Sequence, residues 1–134
     1  MRIMLDTNIL VSTIIGNNGF IPSIFKHVRD NHTIVLSQYT IFELCNTINN
    51  KFFRSILHKR QFKRSFDYEL VVIKHIDKSK HNLIRDLSDL PILIAAIESN
   101  VDIQITSDKD FHAVEIDTLR ILTARQYHDE FMLS

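Results

Sequence analysis

Four carboxylates occupy positions from which folding could bring them together. Asp6 ends the apolar run Arg2-Ile3-Met4-Leu5, and Asp108 closely follows the run Asp102-Ile103-Gln104-Ile105, with Asp110 two residues further on. If both runs are strands of one parallel sheet, their acids meet at its carboxyl edge, in the crevice where open α/β sheets place ligands. Glu43 and Asp89 stand where helices can carry them to the same crevice. Carboxylates about 4 Å apart repel by up to ~4 kcal/mol per pair at an effective dielectric near ~20, so folding alone supplies no reason to gather them. A hard divalent cation does. Mg²⁺ and Mn²⁺ take oxygen ligands and are held by a few carboxylates together with waters and substrate phosphates.

Taken one at a time, the aspartates have ordinary uses that outweigh this one. Asp6, in Asp6-Thr7-Asn8, suits a helix N-cap; Asp89 complements the positive end of a helix; Asp108 and Asp110 suit a turn and cap at a strand exit. Glu43 differs, because it falls inside a helix rich in apolar residues, where an unpaired carboxylate is costly if buried and ordinary if exposed. The seven histidines lie outside these segments. The nearest, His112, is expected to pack or face solvent rather than bind metal.

Hydrophobic periodicity alternates strands with helices. Strands are predicted at Arg2–Asp6, Thr33–Leu36, Asp102–Thr106 and Arg120–Leu122. Helices are predicted near Asn8–Ile15, near Pro22–Asn31 with Pro22 in the first turn, and from an N-cap at Ser37 to about Phe53. Residues 57–76 predict a long helix carrying Phe62, Phe66, Leu70, Ile73 and Ile76. Ser88 or Asp89 is expected to cap a helix that has Pro91 in its first turn and runs to Ser99, ended by a left-handed Asn100. A short turn of helix is expected at Asp110–Ala113, and Thr123 with Gln126 forms a capping box opening a terminal helix. This βαβ rhythm predicts α/β architecture: a central parallel sheet of four to five short strands covered by helices on both faces.

The chain has 134 residues, of which 45% are hydrophobic, with only two glycines and two prolines. That suits one domain over residues 1–134 with a real core and short loops. No run approaches the length of a membrane span; the first fifteen residues faintly resemble a signal peptide, with Arg2 and a mostly apolar run, but Asp6 and Asn8 interrupt it and no small-residue cleavage site follows, so export is not expected. With Cys45 as the lone cysteine, no internal disulfide can form, so a cytoplasmic setting is expected. Net charge is zero, yet residues 51–85 carry ten basic against three acidic side chains and residues 86–134 carry three against ten. The richest stretch holds Lys51, Arg54, Lys59, Arg60, Lys63 and Arg64 without an acid, interleaved with Phe52, Phe53 and Phe62. Cationic heads for phosphates and rings for bases suit single-stranded nucleic acid; equally, the rings suit the buried side of an amphipathic helix.

The order of these acids and their settings resembles the PIN-domain ribonucleases. The matching segments are Ile3-Met4-Leu5-Asp6-Thr7-Asn8, then Ser37 leading to Glu43-Leu44, then Arg85-Asp86-Leu87-Ser88-Asp89-Leu90-Pro91-Ile92 continuing to Ala96, then Ile105-Thr106-Ser107-Asp108-Lys109-Asp110-Phe111. The nearest likeness is to the VapC-like toxins of bacterial type II toxin–antitoxin modules. The resemblance implies a metal-binding quartet of Asp6, Glu43, Asp89 and Asp108, a fifth acid in Asp110, and orienting roles for Asn8 and Thr106. It further implies hydrolysis of RNA with Mg²⁺ or Mn²⁺, a cognate antitoxin as protein partner, and a homodimer. Asp86 is a rival to Asp89, which is preferred because Ile92 three residues later keeps the family spacing. Two departures stand out: Ser107 replaces a frequent glycine, and Gln104 interrupts a strand that is usually more apolar.

Two other classes have their own signatures. A receiver or phosphohydrolase-like domain also gathers aspartates at strand ends, but the phosphohydrolase pattern of two aspartates separated by one residue fails at Asp6-Thr7-Asn8. A PIN-like module that binds RNA or protein without cleaving is the remaining alternative, against which the intact acids argue.

Overall fold

The computed structural model describes residues 1–15, 19–48, 66–74 and 78–133. Five strands, β1 (Arg2–Leu5), β2 (Thr33–Ser37), β3 (Glu69–Val71), β4 (Ile103–Ile105) and β5 (Arg120–Leu122), form one sheet in the order β3-β2-β1-β4-β5. Every neighbouring pair is parallel. The helices are α1 (Thr7–Ile15), α2 (Phe20–Asn31), α3 (Gln38–Ile48), α4 (Leu90–Glu98), α5 (Lys109–His112) and α6 (Ala124–Tyr127), with tighter 3₁₀ turns at Lys78–Leu83 and Leu87–Asp89 and a wider helical turn at His128–Met132.

Alternation along the strands sorts two cores. Ile3 and Leu5 of β1, Ile34 and Leu36 of β2, and Ile103 and Ile105 of β4 point to one face, where Ile9 and Leu10 of α1, Ile24 and Val28 of α2, and Tyr127 cover them. Met4 and Val35 point to the other face, under Leu93, Ile94 and Ala96 of α4. The helix α4 is apolar on nearly every side, as a helix wedged against a sheet must be. Leu93 is fully buried there, so Leu93→Ala is expected to destabilise the protein by about 3 kcal/mol. A urea melt checks this, and an unchanged midpoint would show that this face is not packed.

The local signals act as their chemistry dictates. The Ser37 hydroxyl accepts the Thr40 N–H at 3.1 Å to start α3, and Asn100 takes the left-handed backbone (φ 56°) beyond α4. Thr123 and Gln126 close the capping box. Around α4 the expectation fails in part: neither Ser88 nor Asp89 supplies a side-chain cap. Instead Asp86 caps the preceding 3₁₀ turn, and Pro91 opens the helix.

The predicted helix over 57–76 is a correction where it can be seen, because Glu69–Val71 is the edge strand β3. Its β-branched continuation Val71-Val72-Ile73 favours extended backbone, and two tertiary ties hold it. Arg2 forms an ion pair with Glu69. The Gln38 carboxamide mimics a neighbouring strand, accepting the Ile73 N–H at 2.7 Å and donating to the Ile73 carbonyl at 3.1 Å. The basic stretch Lys51, Arg54, Lys59, Arg60, Lys63 and Arg64 lies outside the described residues. Among those that are described, no helix is long and apolar enough to cross a membrane.

Candidate metal centre

The strand order reverses at β1, whose neighbours are β2 on one side and β4 on the other. Asp6 follows β1 and Asp108 follows β4 by three residues, so both leave the sheet at this switch point. Asp6 is half-buried and already occupied as a cap: one carboxylate oxygen accepts the Ile9 N–H at 2.9 Å. The other accepts the Thr106 hydroxyl at 2.8 Å. Burial nonetheless outweighs these bonds and raises the Asp6 pKa. Thr106 is buried and couples the two acids, since its hydroxyl oxygen also accepts the Asp108 N–H at 3.1 Å. Asp108 in turn accepts the Asp110 N–H at 2.9 Å, capping the short helix α5.

Glu43 reaches the same place from α3. Its residue is exposed, which removes the desolvation problem, and the Thr7 hydroxyl donates to its carboxylate at 2.9 Å. Asp89 arrives from the start of α4. Burial, followed by the neighbouring charges of Asp108 and Asp86, pushes its pKa up to about 6. Asp86 differs in kind: the Ser88 N–H and hydroxyl both donate to it, at 3.0 and 2.7 Å, and hold its pKa below the usual carboxylate range.

Asp6, Glu43, Asp89 and Asp108 all border one cavity of about 90 Å³, with Thr7, Asn8 and Thr106 on its walls. No basic side chain borders it among the described residues. Asp110 and the rival Asp86 stand at one side, where carboxylate oxygens of Asp86, Asp89 and Asp110 lie within 4.8 Å of one another. All the charged donors are therefore hard oxygens in a space suited to a hydrated ion, which fits Mg²⁺ or Mn²⁺ and no soft metal. His112 is spent elsewhere, its Nε2 donating to the Thr106 carbonyl at 2.7 Å. The residues alone do not reveal the Thr7 clasp on Glu43, nor the place of Gln104 in the cavity lining. For Thr7 the only signal was a hydroxyl next to Asp6; for Gln104 it was a polar residue inside an apolar strand.

An open parallel sheet with helices on both faces and acids gathered at its switch point defines the class of domain. A profile of the PIN domain family matches residues 2–110, and the chain belongs to that family. Among solved structures, VapBC2 from Rickettsia felis, crystallised with a DNA fragment from their promoter, shares the fold. Its TM-score is 0.65 at 22% identity, over 92% of this chain and 98% of that one. No curated protein matches the chain.

Proposed function

We propose that this protein is a divalent-metal-dependent endoribonuclease and the toxin of a type II toxin–antitoxin pair. The observation that carries this is the convergence of Asp6, Glu43, Asp89 and Asp108 from four elements on one small cavity without a bordering cation among the described residues. Asp6 and Asp108, fixed at strand exits and tied through Thr106, are the rigid metal ligands. Glu43 and Asp89 complete the set from helices and orient the attacking water, with Asp110 as a fifth ligand and Asn8 at the rim. When bound, Mg²⁺ or Mn²⁺ supplies charge to polarise the phosphate and lower the pKa of a ligated water. The reaction is hydrolysis: a water oxygen bonds to phosphorus, the bond to the leaving ribose oxygen breaks, and that oxygen gains a proton.

The basic stretch from Lys51 to Arg64 supplies phosphate contacts for the RNA. The likeness to VapBC2 supports the toxin assignment and an antitoxin as the protein partner. The test is a cleavage assay on single-stranded RNA. Cleavage is expected with Mn²⁺ or Mg²⁺ and none with chelator. Binding of RNA and metal without cleavage would return the chain to a non-catalytic binding module.

A further inference from the structure

Among the described residues, Gln104 is the buried polar side chain bordering the acidic cavity that the mechanism above leaves unused. It lies in the middle of β4, in register with Met4 of β1 and Ile121 of β5. Its neighbours Ile103 and Ile105 face the α1–α2 core, so its side chain takes the opposite face, together with Met4 and Thr106. There it is 0% exposed, and both its Nε2 and its Oε1 are buried with no hydrogen-bond partner among the described residues. A strand otherwise built of isoleucine gains nothing from such a group, because an unsatisfied buried amide is destabilising where leucine or methionine would pack. Gln104 nevertheless borders the same cavity as the four acids, flanked there by Ile92 and Phe111. Those two offer no polar atom, so the carboxamide's natural partners lie on the acidic side.

We propose that Gln104 is a positioning residue for the hydrated cation. Its Oε1 accepts a hydrogen bond from a water in the ion's hydration shell, and its Nε2 donates toward the carboxylates above. The proposal rests on the metal site of the preceding section. The chemistry fits: Mg²⁺ and Mn²⁺ sites of few carboxylates keep several waters, a cavity of about 90 Å³ has room for only a few of them, and an amide adds an acceptor for a metal-bound water together with an N–H donor that ionised acids, which only accept, cannot supply. Groups that hold a ligand from behind in this way typically change metal affinity by about 10–100-fold.

The test compares the wild type with Gln104→Met, which keeps volume and removes both polar atoms, and with Gln104→Glu, which keeps the acceptor. Mn²⁺ affinity is read by the electron paramagnetic resonance signal of free Mn²⁺, and thermal melting is followed in chelator. Gln104→Met is expected to melt higher than the wild type without metal yet bind Mn²⁺ about tenfold more weakly or worse. Gln104→Glu should retain wild-type affinity or exceed it, and it decides the matter if the Met variant does not fold. If the wild type binds Mn²⁺ and Gln104→Met binds it with unchanged affinity, or if Gln104→Glu is as weak as Gln104→Met, the proposal is overturned and the metal site left standing. A wild type that binds no Mn²⁺ at all would overturn the metal site itself, and this role with it.

Discussion

Asp6→Asn and Asp108→Asn are each expected to abolish RNA cleavage, lowering the rate at least ~10²-fold, the upper end of what loss of a merely orienting group costs, while the fold is kept. Asparagine at position 6 retains an oxygen for the Ile9 N–H. Its amide then donates to the Thr106 hydroxyl oxygen, which still accepts from Asp108 N–H. Thus the cap and the tie between strand exits survive. What disappears is one negative charge, and that charge is held unfavourably: burial raises the Asp6 pKa in the folded protein above its ordinary value. A carboxyl whose folded pKa is raised destabilises the native state wherever it is ionised. At neutral pH and without metal, Asp6→Asn should therefore melt at or above the wild-type temperature. Loss of cleavage with an undiminished melting temperature separates a chemical role from a structural one. Retained cleavage in Mn²⁺ would remove Asp6 from the site, and a lower melting temperature would mean that the carboxylate serves mainly as a cap.

Much of this arrangement was legible in the residues because several signals agreed at each place. Around Asp6, an apolar run, an acid and two capping residues all mark a strand passing into a helix, and the structure uses Asp6 as a cap and a cavity wall at once. The ordinary and chemical readings were never exclusive: Asp108 likewise caps α5 and borders the cavity. Thr123 with Gln126, Ser37 and Asn100 were readable because caps and left-handed positions depend on a few adjacent atoms.

What escaped depended on distant partners. Leu70 and Ile73 fit a helical stripe as well as a strand, and the choice was made by Arg2, 67 residues from its partner Glu69, and by the Gln38 carboxamide. Asp86 and Asp89 were posed as rivals on spacing alone. The 3₁₀ turn between them lets both belong to one acidic surface, with Asp86 anchored by Ser88 and Asp89 turned toward the cavity. No local pattern could give the Thr7 bond to Glu43, since it spans two helices.

Saturating Mn²⁺ is expected to raise the melting temperature by about 10 °C, and the rise should fade as the pH drops below 6. At a free concentration about 100 times the dissociation constant, a ligand that binds only the native state stabilises it by about 2.7 kcal/mol, which corresponds to roughly that shift for a domain of this size. The pH dependence follows from Asp89, whose folded pKa is pushed up from 3.8 to about 6. Below pH 4 its carboxyl is protonated folded or unfolded and contributes nothing. Between about 4 and 6 the unfolded chain ionises first, so the metal-free native state loses stability as pH rises; above 6 the penalty is complete. Asp89→Asn lacks this penalty, and its amide can keep the hydrogen bond that a protonated Asp89 makes to Asp108. In chelator the variant should therefore gain on the wild type from pH 4 to 6 and hold its lead above that. In Mn²⁺ the order is expected to invert above pH 6, where on the proposed site the ionised carboxylate serves as a ligand and no proton competes for it. Scanning calorimetry of both proteins at pH 5, 6 and 7.5, with chelator and with Mn²⁺, measures all of this. Parallel curves for the two proteins in Mn²⁺ would remove Asp89 from the ligand set.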